Sequence, residues 1–408
     1  MRNILIMGDP LPILNILSSD RHFLITSQIE AQSLGDHVSA LFSEIYAIDT
    51  PETFEATCFE QRMPEIVSIA QALVGNHGSI DGIVSTHEHT VLPSALLREE
   101  FGVSGIQPTT ALLCRDKIMM RKAMNITTTK VPFLDTDVVS YLEFKQFLAE
   151  HRRIIIKPSR QAASFGIEVI SDQQGYNRDL PTQSIVEPFI DLPIIHLDGY
   201  VVSGELRFMT ASQSVNTCFS YTNLGGVLGS VIITDKEIYH LCLDLALITV
   251  KNLGINDSVF HIECFKSDEG LIFLEAAARY GGGGINQLVK YTTGVSLSEA
   301  AYIIESGDSR RDNLPQLTTP PQRSVAMINF ALPEDAQTFF GWKIKEMGTL
   351  PQILQVVAPE PGTLLKRDEI ERFSAALRIY IVADEDGQAL DHVREMEKTV
   401  EVIYESQF

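Results

Sequence analysis

Apolar residues along this chain follow two rhythms, and the alternation between them predicts most of its elements. Residues 2–8, "RNILIMG", form a continuous apolar run ending on glycine, as in a strand buried on both faces. A helical stretch is expected after Pro12. "DGIVST" (81–86) is a second strand-like run, after which Val91, Ala95 and Leu96 fall at helical spacing. Strands alternating with helices predict a parallel α/β layer over about residues 1–110. Further on, "CRDKIMMRKAM" (114–124) predicts one helix, and "VPFLDT" is extended because a proline disfavours helix in the residue before it. "RRIIIKPS" (152–159) and "QSIVEPFI" (183–190) read as strands, and "LDGYVVSGELRFMTAS" (197–212) as two strands about a Ser-Gly turn. Over 236–253, Ile238, Leu241, Leu245 and Ile248 recur at the helical period, with Gly254 placed to cap the end. The Pro/Thr-rich "NLPQLTTPPQ" (313–322) reads as a connector, and a smaller α/β piece follows it. No internal repeat interrupts the series.

The most informative stretch is "HIECFKSDEGLIFLEAAARYGGGG" (261–284). Alternation puts Phe260, Ile262 and Cys264 on one face of a strand and His261, Glu263 and Phe265 on the other. "KSDEG" suits a hairpin turn. Pairing Phe265 with Leu271 sets Glu263 opposite Phe273 and Glu275 opposite His261. The two acids are then diagonal neighbours about 7–8 Å apart at the backbone. Such a face is either solvated or holds a cation between its carboxylates. Sharing it with Phe265, Phe273 and His261 is odd for open solvent, and oxygen ligands suit Mg²⁺.

Composition narrows the options. At roughly 150 residues per domain, 408 residues predict two or three domains. A formal charge of -21 leaves no basic surface for nucleic acid, so a bound phosphate needs a local cationic cluster. The five cysteines show no CxxC spacing, which fits reduced thiols and offers no zinc site. With no apolar run long enough to cross a membrane, the expectation is a cytoplasmic protein without a membrane partner. One candidate cationic cluster is "IIIKPSRQAASFGIEVI" (154–170), where Lys157 leaves a strand into a turn that exposes backbone N–H groups. An ordinary hairpin with a solvated lysine has the same pattern. Arg115, Lys117, Arg121 and Lys122 read equally as the polar side of a surface helix.

Taken in order, "RDKIMMR", "IIIKPSRQAASFGI", "IVEPFI", "HIECF", "LEAAARYGGGG" and "TTGVSL" resemble the ATP-grasp ligases over about residues 80–300, with a looser likeness in the flanks. The resemblance implies an α/β and α+β chain of ATP-grasp fold. It would have an N-terminal parallel α/β domain (1–110), an ATP-grasp domain (111–312) with a mobile lid at about 125–186, and a C-terminal lobe (323–408). It implies ATP as cosubstrate and Mg²⁺ as metal, with Mn²⁺ as the alternative ion, small-molecule substrates, and a homodimer as the common assembly.

By the same resemblance, Lys117 and Lys157 hold phosphates, and the turn Ala163, Ser164, Phe165 and Gly166 covers the nucleotide. Glu187, Pro188, Phe189 and Ile190 form the adenine hinge, Glu187 taking the exocyclic amine. Glu263 and Glu275 bind the metal, and Arg279 stabilises the transferring phosphoryl group. The ribose acid expected after the hinge is missing; Asp191 or His196 stands in its place, although His196 also suits a packed strand position. Gln161 and Ala163 stand where relatives often have glycines, so this turn has less backbone freedom.

Ala277 occupies a position where many relatives carry asparagine, and with "VSTHEHTVLPSALL" it resembles the dipeptide-forming L-amino acid ligases. In that branch Glu88 faces the amino acid; as a residue beginning a helix it has an equally good dipole explanation. Substrate contacts are then expected from Glu88, Ser164, Arg279, Gly282 and Gly283, the glycines standing where some relatives have a bulky gate, and from the loop 216–229. The function implied is ATP-dependent joining of an L-amino acid to a second amino acid or related amine through an acyl phosphate. The alternatives are a ligase or carboxylase acting on bicarbonate or a purine-pathway carboxylate, and a non-catalytic ATP-binding regulator.

Overall fold

The computed structural model describes the chain except residues 18, 51–55, 126–129, 173–175, 177–178, 347, 350, 368–373 and 406–408. The first apolar run forms the strand Asn3–Met7, flanked by Arg21–Ser27 and Gly82–Ser85, and Glu44–Ile48 completes a four-stranded, wholly parallel sheet. Both faces are covered, which is why Ile4, Leu5, Ile6 and Met7 are all apolar and buried. Leu5, Met7, Phe23 and Ile25 pack under the helices Met63–His77 and Val91–Phe101. Ile4, Ile6 and Leu24 meet Tyr302 and Ile303 of a distant helix, Leu297–Glu305. That helix is fixed by a buried ion pair, Arg98 Nη2 to Glu305 Oε2 at 2.8 Å, and the same oxygen accepts the Ser85 amide. The helical stretch expected after Pro12 is a 3₁₀ helix that starts one residue before it, Leu11–Ile16.

An eight-stranded antiparallel sheet forms the centre, in the order Gly270–Ala277, Ser258–Ser267, Ile194–Val202, Glu205–Val215, Val227–Ile232, Ser324–Ala331, Ala375–Ala383 and Gln352–Val357. Strands before and after the 313–322 connector therefore share one sheet. The turn at Ser203 and Gly204 uses positive φ at both residues (54° and 77°), the twist that a tight hairpin needs. One side of the sheet is covered by Lys236–Leu253, capped by Asp235 and ended by left-handed Gly254. Its buried stripe runs through Cys242, Leu245 and Thr249, leaving Leu241 turned to solvent, contrary to its expected place on the apolar face.

The helix expected over 114–124 is two helices, Pro108–Arg115 and Lys117–Met124. Asp116 breaks them with extended backbone and accepts the Ile118 and Met119 amides, capping the second. A separate four-stranded sheet (Leu134–Asp135, Ser184–Pro188, Arg153–Pro158, Glu168–Ser171) packs on the helix Tyr141–His151 through Phe144, Leu148, Ile154 and Val186. It occupies the stretch expected as the lid, of which residues 126–129, 173–175 and 177–178 lie outside the described residues. Leu364–Leu365, Gln337–Ile344 and Val400–Tyr404 make a small fourth sheet, of three strands, beside the helix Asp386–Thr399.

Candidate active site

A cavity of about 630 Å³ opens where the parallel sheet, the small lid-region sheet and the central sheet meet. From the parallel sheet come Ser27, Thr86 and Glu88, at or just beyond the carboxyl ends of strands. Crevices outside strand carboxyl ends are where α/β sheets bind ligands, because loops and free amides converge there. The small sheet contributes Lys157, Glu187, Pro188, Phe189 and Ile190, with Ala163 and Ser164 from its turn. The central sheet and the loop after it contribute His196, Glu263, Glu275, Arg279, Gly282 and Gly283. Of the residues singled out from sequence, Lys117, Phe165 and Gly166 do not line the cavity wall. Thr217, Cys218, Phe219, Leu228 and Gly229 place the 216–229 loop on it.

The acidic face differs in detail from the expected one. A bulge between Glu263 and Cys264 shifts the register, so Glu263 lies directly opposite Glu275 and His261 opposite Ala277. Phe273 pairs with Cys264 and turns into the core with Phe260 and Ile262, so it does not share the glutamates' face. The neighbouring strand continues both rows, His196 beside Glu263 and Asp198 beside His261. Asp198, fully buried, accepts from His196 Nδ1 at 2.6 Å and His261 Nδ1 at 2.8 Å. His196 Nε2 meets the Ser230 hydroxyl, and His261 Nε2 lies 3.4 Å from Glu263 Oε1. Burial alone would lower the His261 pKa, yet the Asp198 charge outweighs it and raises the group to about 10. Two facing carboxylates with imidazole alongside are a donor set that fits a divalent cation.

The helix Lys117–Met124 is the cationic counterpart. Lys117 Nζ donates to Gln161 O at 2.5 Å and stands 4.0 Å from Glu275 Oε2. One turn later Arg121 is buried, not part of a polar surface. It donates to Glu187 Oε1 at 2.7 Å and to the Phe273 carbonyl at 2.8 Å. Lys157 Nζ takes the other Glu187 oxygen at 2.9 Å. Burial would raise the Glu187 pKa, but Lys157 and Arg121 hold it below the usual carboxylate range. The Glu187 side chain thus braces two cations, with both oxygens engaged. Arg115 is buried too, and Lys122 alone of the four basic residues is well exposed.

Glu88 is gripped between arginines, with Arg115 Nη1 at 2.6 Å and Arg279 Nε on its other oxygen. Burial opposes its charge, but Arg279 and Arg115 prevail and hold its pKa down to about 2. Among the glycines after Arg279, two are confined: a Cβ at Gly281 would sit 2.8 Å from Asp198 Oδ1 and 2.9 Å from His261 Nδ1, and one at Gly284 would sit 2.7 Å from Arg378 Nε and from the Tyr380 hydroxyl. Gly282 and Gly283 face open space, and Gly283 has a φ of +61°.

Arg121, Asp198, His261 and Ser230 are site residues that reading the sequence did not assign. The signals were there: Arg121 lies four residues from Lys117 on one helix face, and Asp198 two from His196 on one strand face.

No protein-family model matches the sequence. A curated relative, the L-arginine-specific L-amino acid ligase of Bacillus subtilis, is 26% identical over 363 residues, covering 84% of this chain and 83% of its own length. Among solved structures, the L-amino acid ligase of Bacillus licheniformis aligns over 100% of this chain and 99% of its own, with a TM-score of 0.69 at 16% identity. The biotin carboxylase domain of the Hydrogenobacter thermophilus 2-oxoglutarate carboxylase, solved with MgADP, ADP and bicarbonate, aligns over 99% and 91% with a TM-score of 0.67 at 16% identity. Among the described residues no helix is long and apolar enough to cross a membrane.

Proposed function

We propose that the chain is an ATP-grasp ligase, an ADP-forming enzyme that makes carbon–nitrogen bonds, and that it joins an L-amino acid to a second amino acid or related amine; the similarity to two L-amino acid ligases supports this reading. The observation that carries this reading is the shared cavity. Residues suited to a metal–triphosphate (Lys157, Glu263, Glu275) and a chamber at the carboxyl ends of the parallel sheet open into each other, with Arg279 between.

In the first step an oxygen of the amino-acid carboxylate attacks the γ-phosphorus of ATP. The bond to the bridging oxygen breaks, and ADP leaves with that electron pair. In the second step the amine nitrogen attacks the acyl carbon, phosphate departs with the carbon–oxygen bonding pair, and the proton that the nitrogen loses passes to that phosphate. Mg²⁺ held by Glu263 and Glu275 would supply charge neutralisation on phosphate oxygens. Lys157, aimed by Glu187, neutralises phosphate charge at the cavity wall, and Lys117, beside Glu275 and behind the wall, adds its charge on turning from the Gln161 carbonyl. Ala163 and Ser164 cover the nucleotide, while Pro188, Phe189 and Ile190 supply an apolar wall and backbone groups for adenine. Arg279 offers a planar fork to the transferring phosphoryl group once Glu88 releases part of it. Glu88, Gly282 and Gly283 border the amino-acid chamber.

ADP release measured with single amino acids, amino-acid pairs and bicarbonate tests the reading. Arginine is the first to offer, because the Bacillus subtilis relative is arginine-specific by name. Release only with amino acids, together with hydroxamate formation when hydroxylamine is added, is the expected result. Release with bicarbonate alone favours the carboxylase reading, which the similar fold of the Hydrogenobacter domain supports. Glu275→Gln should lower kcat by about 100-fold or more, since loss of a metal ligand removes several kcal/mol of charge stabilisation. An unchanged circular dichroism spectrum would show the fold intact, and near-normal turnover would mean that Glu275 is no ligand.

A further inference from the structure

We propose that His261 is a third protein ligand of the metal, a nitrogen donor aimed by Asp198, so that the site accepts Mn²⁺ or Co²⁺ more tightly than an all-oxygen site would. The inference rests on the reading that Glu263 and Glu275 hold the ion, and it adds a ligand to that pair.

The argument is the arrangement of one sheet face. His261 and Glu263 share a face of their strand, Glu275 lies across from Glu263, and Ala277 across from His261. The four side chains make a rectangle of two carboxylates, one imidazole and one methyl. Three corners carry donors, and the small fourth corner leaves room beside the ring. His261 also has the support that metal-binding histidines have: one ring nitrogen donates to a carboxylate, which fixes the ring plane, and the other nitrogen takes the ion in place of its proton, which is released to solvent. Here Nδ1 is bound to Asp198 Oδ1 at 2.8 Å, and Nε2 faces Glu263 Oε1 at 3.4 Å.

His196 is not an equivalent candidate, although it belongs to the same cluster of metal-ligating side chains. Its Nδ1 is taken by Asp198 and its Nε2 by Ser230. It acts as the second support, closing the other Asp198 oxygen so that Asp198 keeps one orientation. Gly281 fits the same account. The chain leaving Arg279 passes so close to the Asp198–His261 pair that a methyl would push the pair out of line. A donor set of one nitrogen and two carboxylates suits borderline ions better than Mg²⁺ does, because imidazole prefers them.

The test uses the full-length protein with Mn²⁺ and ADP, read by pulsed electron paramagnetic resonance. The expected result is a ¹⁴N coupling to bound Mn²⁺ that changes to the ¹⁵N pattern in uniformly ¹⁵N-labelled protein with unlabelled ADP, and that disappears in His261→Gln. Asp198→Asn should keep the coupling while weakening Mn²⁺ binding about 10- to 100-fold, the usual effect of losing an outer-shell partner. Bound Mn²⁺ with no protein nitrogen coupling in the unaltered enzyme overturns His261 as ligand and leaves the two-glutamate site standing. If Mn²⁺ does not bind at all, and Glu263→Gln changes nothing, the underlying metal reading fails together with the proposal. Because the decisive spectrum is that of the unaltered protein, a variant that fails to fold does not blunt the test.

Discussion

Glu88 shows most directly how single residues set the electrostatics of this cavity. Its carboxylate is desolvated, and the Arg279 and Arg115 guanidiniums hold its pKa down to about 2 from 4.5. A folded-state pKa below the unfolded one gives stability that is fully present above pH 4.5 and is lost as the pH falls from there to 2. The shift corresponds to about 3 kcal/mol, at about 1.4 kcal/mol per pKa unit. Urea unfolding of the natural protein and of Glu88→Gln should therefore differ most at pH 6. The gap should shrink steadily between pH 4.5 and pH 3; a gap independent of pH would show that Glu88 acts through packing alone. The same substitution releases Arg279 from its partner, so activity should change along with stability. Glu187 is the parallel case on the phosphate side, where one carboxylate is braced between Arg121 and Lys157.

At the scale of elements, the loop after Arg279 separates steric need from mere abundance of glycine. Gly281→Ala should lower turnover about tenfold or more, because the added methyl sits under 3 Å from Asp198 and His261. Gly282→Ala should leave stability and the Asp198–His261 pair undisturbed, so any loss of turnover there should be well below that of Gly281→Ala, as nothing lies within 4 Å and its φ is not positive. Equal effects of the two would show that the run matters for backbone freedom and not for contact. The phosphate turn carries a different strain: Ala163 and Ser164 both adopt φ of +56°, a conformation that costs a residue with Cβ about 1 kcal/mol or more. Ala163→Gly should raise the midpoint of urea unfolding if that strain is real, and a lower midpoint would count against it.

These two loops also show what the sequence could reveal. Strands such as Asn3–Met7 and the hairpin about Ser203 and Gly204 were legible because burial on two faces and a tight turn each leave a local signature. The glutamate pair was legible as a pair, but its register was not, because a bulge adds a residue without marking the alternation around it. Arg121 and Asp198 depend on Glu187 and His261, far along the chain, which spacing alone does not name.

Across the whole molecule, the phosphate turn is linked to the N-terminal sheet through a small set of contacts. Glu60 pairs with Arg160 on the turn and stands 3.8 Å from Arg115. Arg115 donates to the Arg160 carbonyl at 2.9 Å, and the Ala56 amide donates to Gln161 Oε1 at 3.0 Å. Because Arg115 also binds Glu88, the proposed amino-acid chamber and the proposed nucleotide cover share one arginine. That connection gives a physical route by which filling the chamber bears on closure over ATP. Glu60→Gln weakens the link without touching the cavity wall. A partly exposed ion pair of this kind contributes about 1 kcal/mol. Hydrogen exchange of the 159–166 amides should then quicken about fivefold, with exchange in the central sheet unchanged. The KM for ATP should rise by a similar factor while kcat changes little, because the chemistry downstream of closure is intact. If exchange quickens across the central sheet as well, Glu60 supports general stability instead of joining the two substrate ends of the cavity.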